Sequence, residues 1–220
     1  MSVYDFEHMR RGMVASQLRT TGVSDARVLA ALGAVPRERF VPEGKVAIAY
    51  ADTMVPLGGG RELNSAMATA RLLSEAGPRG HERAMVIAAA SGYCAALLDR
   101  LAASVVAVEE DGALAAQARD ALAGTSVEIV EGKHAEGHPG GAPYDLIVID
   151  GAVEFVPDAI VEQLADGGQL ATAILESGVT RLALGRKAGG GFGLNVFADA
   201  AAAILPGFVR PRKFSFERAE

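Results

Sequence analysis

The stretch MVIAAASGYCAALL, residues 85–98, decides the fold. It opens as a short apolar run and closes as an alanine- and leucine-rich helix. Between the two, Ser91-Gly92 makes a sharp turn. Strand, tight turn and helix in that order begin a crossover unit of a nucleotide-binding sheet. Such a turn normally carries several glycines, for tight geometry and for close backbone approach to a ligand. Here three alanines, Ala88 to Ala90, precede the single Gly92. Alanine is small, and a negative φ at these positions tolerates its methyl group. The full G-x-G-x-x-G pattern is absent, so a dinucleotide fingerprint is not present.

The rhythm continues downstream. SVVAVE, SVEIVEG, YDLIVIDG and QLATAIL read as strands. GYCAALLDRLA, DGALAAQARDALAG and VPDAIVEQLADGG read as helices, the last closed by Gly167 and Gly168. Continuously apolar strands alternating with helices indicate an α/β fold: a doubly wound, mostly parallel sheet covered on both faces. The segment TRLALGRKAGGGFGLNVFADA reads as two strands about a glycine-rich turn, an antiparallel hairpin at a sheet edge.

Upstream the chain reads as helical. DFEHMRRGMVASQLRTTG spaces Phe6, Met9, Met13 and Leu18 near a helical period, and Gly22 is the stop. Ser24 is the expected cap of SDARVLAALGAV. Pro36 and Pro42 interrupt that pattern, and AIAYADTMVPLGGGRELN reads as an irregular segment carrying Gly58, Gly59 and Gly60. A further helix, SAMATARLLSEAG, stops at Gly77-Pro78.

Composition excludes several classes. The net charge of −6 argues against a nucleic-acid partner, which needs a basic face. The short basic cluster Arg210–Phe214 reads as a solvated chain end, or an anion patch. Cys94 is the only cysteine, which excludes an internal disulfide and fits a reducing compartment. Its place among alanines suits a buried structural thiol. No apolar run reaches the ~18 residues of a membrane span, and the N-terminus has no signal-peptide core. The expectation is a soluble cytoplasmic protein with no membrane or nucleic-acid partner.

Ligands of open α/β sheets sit beyond the carboxyl ends of the strands. Glu109 ends the second strand, about 20 positions beyond the turn, where an acid typically takes ribose hydroxyls. A solvated acid at a helix start is the bland reading of the same residue, and Glu110 and Asp111 suit that helix start. His134 and His138 are four apart in a Gly/Pro loop, which does not present them as a helix would, so no metal site is expected. Neither a G-x-S-x-G elbow nor a Walker A loop occurs.

Taken end to end, these segments resemble the protein-L-isoaspartate O-methyltransferase family. MVASQLRTTGVSDARVLAALGAVPRERFVP is similar to the family's N-terminal helices and V-P-R-x-x-F-V-P signature. AYADTMVPLGGG resembles A-Y-x-D-x-x-x-P-I-G-x-G, SGYCAALLDRLAASVVAVEED resembles S-G-Y-x-x-A-x-L-A followed by V-x-x-x-E, and APYDLIVIDGA resembles A-P-[YF]-D-x-I-I-V. The resemblance implies a seven-stranded, Rossmann-like methyltransferase sheet over residues 81–220. Residues 1–80 form an N-terminal helical and substrate-loop extension. It further implies S-adenosylmethionine as cofactor and isoaspartyl carboxylates of damaged peptides or proteins as acceptors. Gly58, Gly59 and Gly60 fall in the substrate loop, and the cofactor positions are Ala88, Ala90, Ser91, Gly92, Glu109 and Lys133.

Several of those positions depart from the pattern. In the family's E-x-G-x-G-S-G-Y turn, Val86 stands for the acid and Ala88 and Ala90 for two glycines; Ser91, Gly92 and Tyr93 agree. The G-D-G whose Asp holds the adenine amine is Gly132-Lys133-His134, and lysine cannot accept that hydrogen bond. The T-I-S-Q-P carrying the active-site Ser becomes Glu62-Leu63-Asn64-Ser65-Ala66, with Asn64 at the Ser position and Ser65 beside it. The reading is an isoaspartyl methyltransferase homologue with weak or lost activity. Two alternatives stand beside it: a non-catalytic module binding a peptide or protein, and a methyltransferase with a different acceptor.

Overall fold

The structure is a computed structural model and describes residues 4–210. The basic cluster at Arg210–Phe214 therefore lies, beyond Arg210, outside the described residues. Asp5 caps α1 (Phe6–Gly12) by accepting from the His8 amide. The helical path runs on through a π-helical stretch, Met13–Leu18, and a 3-10 turn, Arg19–Thr21, to Gly22 at φ +88°. Met13 and Leu18 are buried, and Phe6 and Met9 pack against the same core, as their spacing predicts. The second helix, α2 (Ala26–Ala34), is capped by Asp25 rather than Ser24; its carboxylate accepts from the Arg27 and Val28 amides.

The segment expected to be irregular contains an antiparallel hairpin, β1 (Val55–Gly58) and β2 (Arg61–Leu63). Gly58, Gly59 and Gly60 make its turn, at φ +100°, +58° and +76°. Pro56 and the triple glycine hide the strands from a propensity reading, since both residue types are depleted in strands. After Ser65 comes α3 (Ala66–Ala76), which ends at left-handed Gly77.

The main sheet starts with β3 (Arg83–Ile87), α4 (Tyr93–Leu98), β4 (Ser104–Glu109), α5 (Gly112–Ala121) and β5 (Glu128–Glu131). It continues with β6 (Tyr144–Val153), α6 (Asp158–Glu162), β7 (Leu164–Glu176), β8 (Val179–Ala188) and β9 (Gly191–Asp199). The seven strands lie in the order β5-β4-β3-β6-β7-β8-β9. Pairings from β5 to β7 are parallel, and β8 and β9 add as the expected antiparallel edge hairpin. The helix expected to run to Gly167-Gly168 is shorter, because β7 begins at Leu164. The glycines instead let β7 bulge against β6. Gly167 is at φ +80°, and a Cβ on Gly168 would stand 2.9 Å from the Ala165 carbonyl oxygen.

Both faces of the sheet are buried, which is why its strands read as unbroken apolar runs. Along β3, Ala84 and Val86 join the core shared with α2, α3, α4 and α5, while Met85 and Ile87 join the core under α6 and Phe208. The chain beyond β9 returns across β6. The Ala152 amide donates to the Ala203 carbonyl at 2.7 Å, and the Leu205 amide donates to the Ala152 carbonyl at 2.9 Å. Gly151 permits that approach, since a Cβ there would stand 2.4 Å from the Leu205 side chain. Among the described residues no helix is long and apolar enough to cross a membrane.

Candidate active site

Strand order reverses between β3 and β6, and the carboxyl ends of those strands are where a ligand of this sheet type sits. The β3–α4 turn runs Ala88-Ala89-Ala90-Ser91-Gly92. Ala88 and Ala90 are at φ +59° and +50°. The negative φ expected from their being alanines is therefore not what the chain adopts. The turn keeps the left-handed geometry that glycine allows, and the alanines carry the strain. Both are buried. Gly92, at φ +96°, has no room for a side chain: a Cβ there would lie 2.7 Å from Leu122. The Ser91 hydroxyl donates to the Phe40 carbonyl, which fastens the turn to the V-P-R-x-x-F-V-P segment.

Glu109, at the end of β4, has an exposure of 0%. Its carboxylate is surrounded by donors from the protein. Arg61 grips it through Nη1 to Oε1 at 2.7 Å and Nη2 to Oε2 at 3.1 Å. The Ala90 amide donates to Oε2 at 2.7 Å and the Asp111 amide to Oε1 at 3.0 Å. His134 Nε2 lies 3.1 Å from Oε1. Burial pushes the pKa of Glu109 up. The contacts from His134, Arg61 and the Asp111 amide outweigh it and hold the carboxyl at about 2. Asp111 caps α5, accepting from the Ala113 and Leu114 amides, so the acids after β4 do suit a helix start.

Lys133 does not join this cluster. Its side chain is 76% exposed, and Nζ lies 3.0 Å from Glu136 Oε1. The neighbouring His134 turns inward instead. The His138 amide donates to Gln163 Oε1, and its ring lies beside Gly140 and Gly141.

Asn64 and Ser65 lie at the start of α3. Asn64 is buried; its Nδ2 donates to Asp150 Oδ1 at 2.8 Å, and its Oδ1 accepts from the Ala203 amide at 2.8 Å. Ser65 Oγ accepts from the Ala68 amide at 3.2 Å and so serves as the helix cap. Burial pushes the Asp150 carboxyl above its usual range, with the Asn64 hydrogen bond opposing. Arg37 is wholly buried on the face of Tyr93, 4.6 Å from the ring centroid. It donates to the carbonyls of Ala49 and Asn64. Cys94 is fully buried, and burial pushes its thiol well up. The structure thus brings Ala88, Ala90 and Glu109 together and leaves Lys133 apart. Arg37, Arg61, His134 and Asp150 complete the surroundings and had no assigned role in the sequence reading. Arg37, Asp150 and His134 lie within segments matched to the family, VPRERFVP, APYDLIVIDGA and Gly132-Lys133-His134, while Arg61 carries no such signal.

The profile of the protein-L-isoaspartate(D-aspartate) O-methyltransferase family matches residues 9–198. The chain belongs to that family. A protein-L-isoaspartate O-methyltransferase of Methanoregula boonei is 42% identical over 168 residues, covering 75% of this chain and 77% of that protein. A Marinobacter nauticus relative of the same name is 40% identical over 182 residues, covering 81% and 83%. A Plasmodium falciparum protein described under the family name, solved with S-adenosyl-L-homocysteine, superposes with TM-score 0.75 at 18% identity, over 92% of this chain and 98% of that one. That likeness supports the Rossmann-like methyltransferase fold of this family member.

S-adenosylmethionine is the cofactor that family membership assigns to the chain. The residues present do not fit it as they stand. A ribose diol needs a carboxylate with free acceptor positions, and the Arg61 guanidinium and the Ala90 and Asp111 amides fill those of Glu109. Methyl groups on Ala88 and Ala90 occupy the turn where the family pattern has glycine.

Proposed function

We propose that the chain is a protein-L-isoaspartate O-methyltransferase homologue in which methyl transfer from S-adenosylmethionine to isoaspartyl carboxylates is weak or lost. The relatives of that name support the reaction class. The observation that carries the reduced activity is the buried, bidentate pair of Arg61 with Glu109, the acid that the family resemblance assigns to the donor's ribose. Breaking a buried ion pair costs about 3–5 kcal/mol. A donor that must do so to enter loses a factor of about a hundred or more in affinity before its own hydrogen bonds to Glu109 offset part of that cost. Methyl transfer depends chiefly on proximity and orientation, so loosened donor placement lowers the rate directly.

The test is transfer of labelled methyl from S-adenosylmethionine to an isoaspartyl peptide. The expected result is transfer barely above the no-enzyme control. Saturation by donor at or below about 10 μM, the tight end of ordinary KM values, overturns the reading.

A further inference from the structure

We infer that Arg61 is the chain's own occupant of the ribose subsite, and that the β1–β2 hairpin is the lid that seats it there. The inference deepens the proposal above and rests on it. A guanidinium presents two parallel N–H donors, much as a ribose presents two neighbouring hydroxyls. A carboxylate receives either one bidentately, and at Glu109 the Ala90 and Asp111 amides hold its remaining acceptor positions. In this chain the guanidinium is in place: Nη1 at 2.7 Å and Nη2 at 3.1 Å from the two oxygens of Glu109. A further, longer contact runs from Nη2 to the Ala88 carbonyl oxygen at 3.4 Å, so the same side chain also meets the β3–α4 turn.

The hairpin aims Arg61 inward. Side chains alternate along a strand, and in β2 Arg61 and Leu63 share the buried face while Glu62 is less buried. The Gly58–Gly60 turn sets that alternation, because Gly58 pairs with Arg61 after a register shift from Pro56. Arg61 has an exposure of 6%, although it belongs to a short two-stranded ribbon outside the main sheet.

Removing the guanidinium leaves Glu109 held. The Ala90 and Asp111 amides and His134 keep three contacts on its carboxylate. The ligand class this selects is a ribonucleoside with a free 2′,3′-diol.

The test compares S-adenosylhomocysteine binding by calorimetry across wild type, Arg61→Gln, and Arg61→Gln combined with Glu109→Gln. Arg61→Gln is expected to bind at least about tenfold more tightly than wild type. The added Glu109→Gln is expected to abolish the gain, because a carboxamide offers one acceptor oxygen in place of two. Adenosine is expected to bind Arg61→Gln better than 2′-deoxyadenosine does. Equal affinity in wild type and a cooperatively folded Arg61→Gln overturns the inference, as does a gain that survives Glu109→Gln or a loss of preference for the diol. Should Arg61→Gln fail to fold, Arg61→Lys keeps the charge without the fork and is expected to give a smaller gain; no gain there also overturns it. The methyl-transfer assay on wild type decides the activity reading independently of these affinity ratios.

Discussion

Replacing the alanines of the β3–α4 turn with glycine, one at a time, separates backbone strain from packing. Ala88, Ala89 and Ala90 are all buried, yet only Ala88 and Ala90 have positive φ, +59° and +50°. At each site glycine deletes a buried methyl, a loss of about 0.8 kcal/mol. It also frees the unfolded chain, a further cost of roughly 0.4–1 kcal/mol. Ala89→Gly is therefore expected to destabilise by about 1.5 kcal/mol. At Ala88 and Ala90 the same costs are opposed by release of left-handed strain, about 1–2 kcal/mol per residue. Ala88→Gly and Ala90→Gly are thus expected to lie within about 0.5 kcal/mol of wild type. Urea unfolding with a common m-value measures all three. Equal destabilisation across the series refutes the reasoning, because it removes any contribution from the left-handed backbone.

Two other perturbations follow from the same site. Glu109 has a folded pKa of about 2 against an ordinary 4.5, so the stability it contributes is present above pH 4.5 and is lost as pH falls toward 2. The shift corresponds to about 3 kcal/mol, and urea unfolding between those pH values should show a shallower acid loss in Glu109→Gln than in wild type. Asn64→Ser, which places the family's residue at that position, is expected to destabilise by about 1–3 kcal/mol. A serine is too short to bridge Asp150 and the Ala203 amide as Asn64 does; unchanged thermal stability of the variant would show that the bridge carries no load.

The parts of this molecule legible in the sequence are those specified by neighbours. The apolar runs of β3, β4 and β6 and the left-handed stops Gly22 and Gly77 follow from local pattern. So does the β8–β9 hairpin around its glycine turn. The β1–β2 hairpin is obscured by residues that disfavour strands, and Gly167-Gly168 serve a bulge that only the partner strand reveals. The site is less legible still. Glu109 is a visible acid at the expected spacing, but its partners Arg61 and His134 are 48 and 25 residues away. No periodicity links them. Arg37 and Asp150 are buried charges whose environment depends on several segments meeting, and composition places such residues at the surface by default. The φ of Ala88 and Ala90 is likewise imposed by the turn rather than preferred by the residue.

The bond from the Ala203 amide to Asn64 joins positions 139 residues apart. The residues of α3 and of every parallel strand are synthesised before Ala203. The Asn64 side chain therefore lacks both partners until Asp150 is made and one of them until Ala203 is made, and the tie from this position to the chain beyond β9 forms only when the final return across β6 docks. Contacts of such long sequence separation form at high loop-closure cost. Completion of the Asn64 bridge is thus a closing event of folding, and a nascent chain stalled before Ala203 leaves Asn64 Oδ1 without that donor.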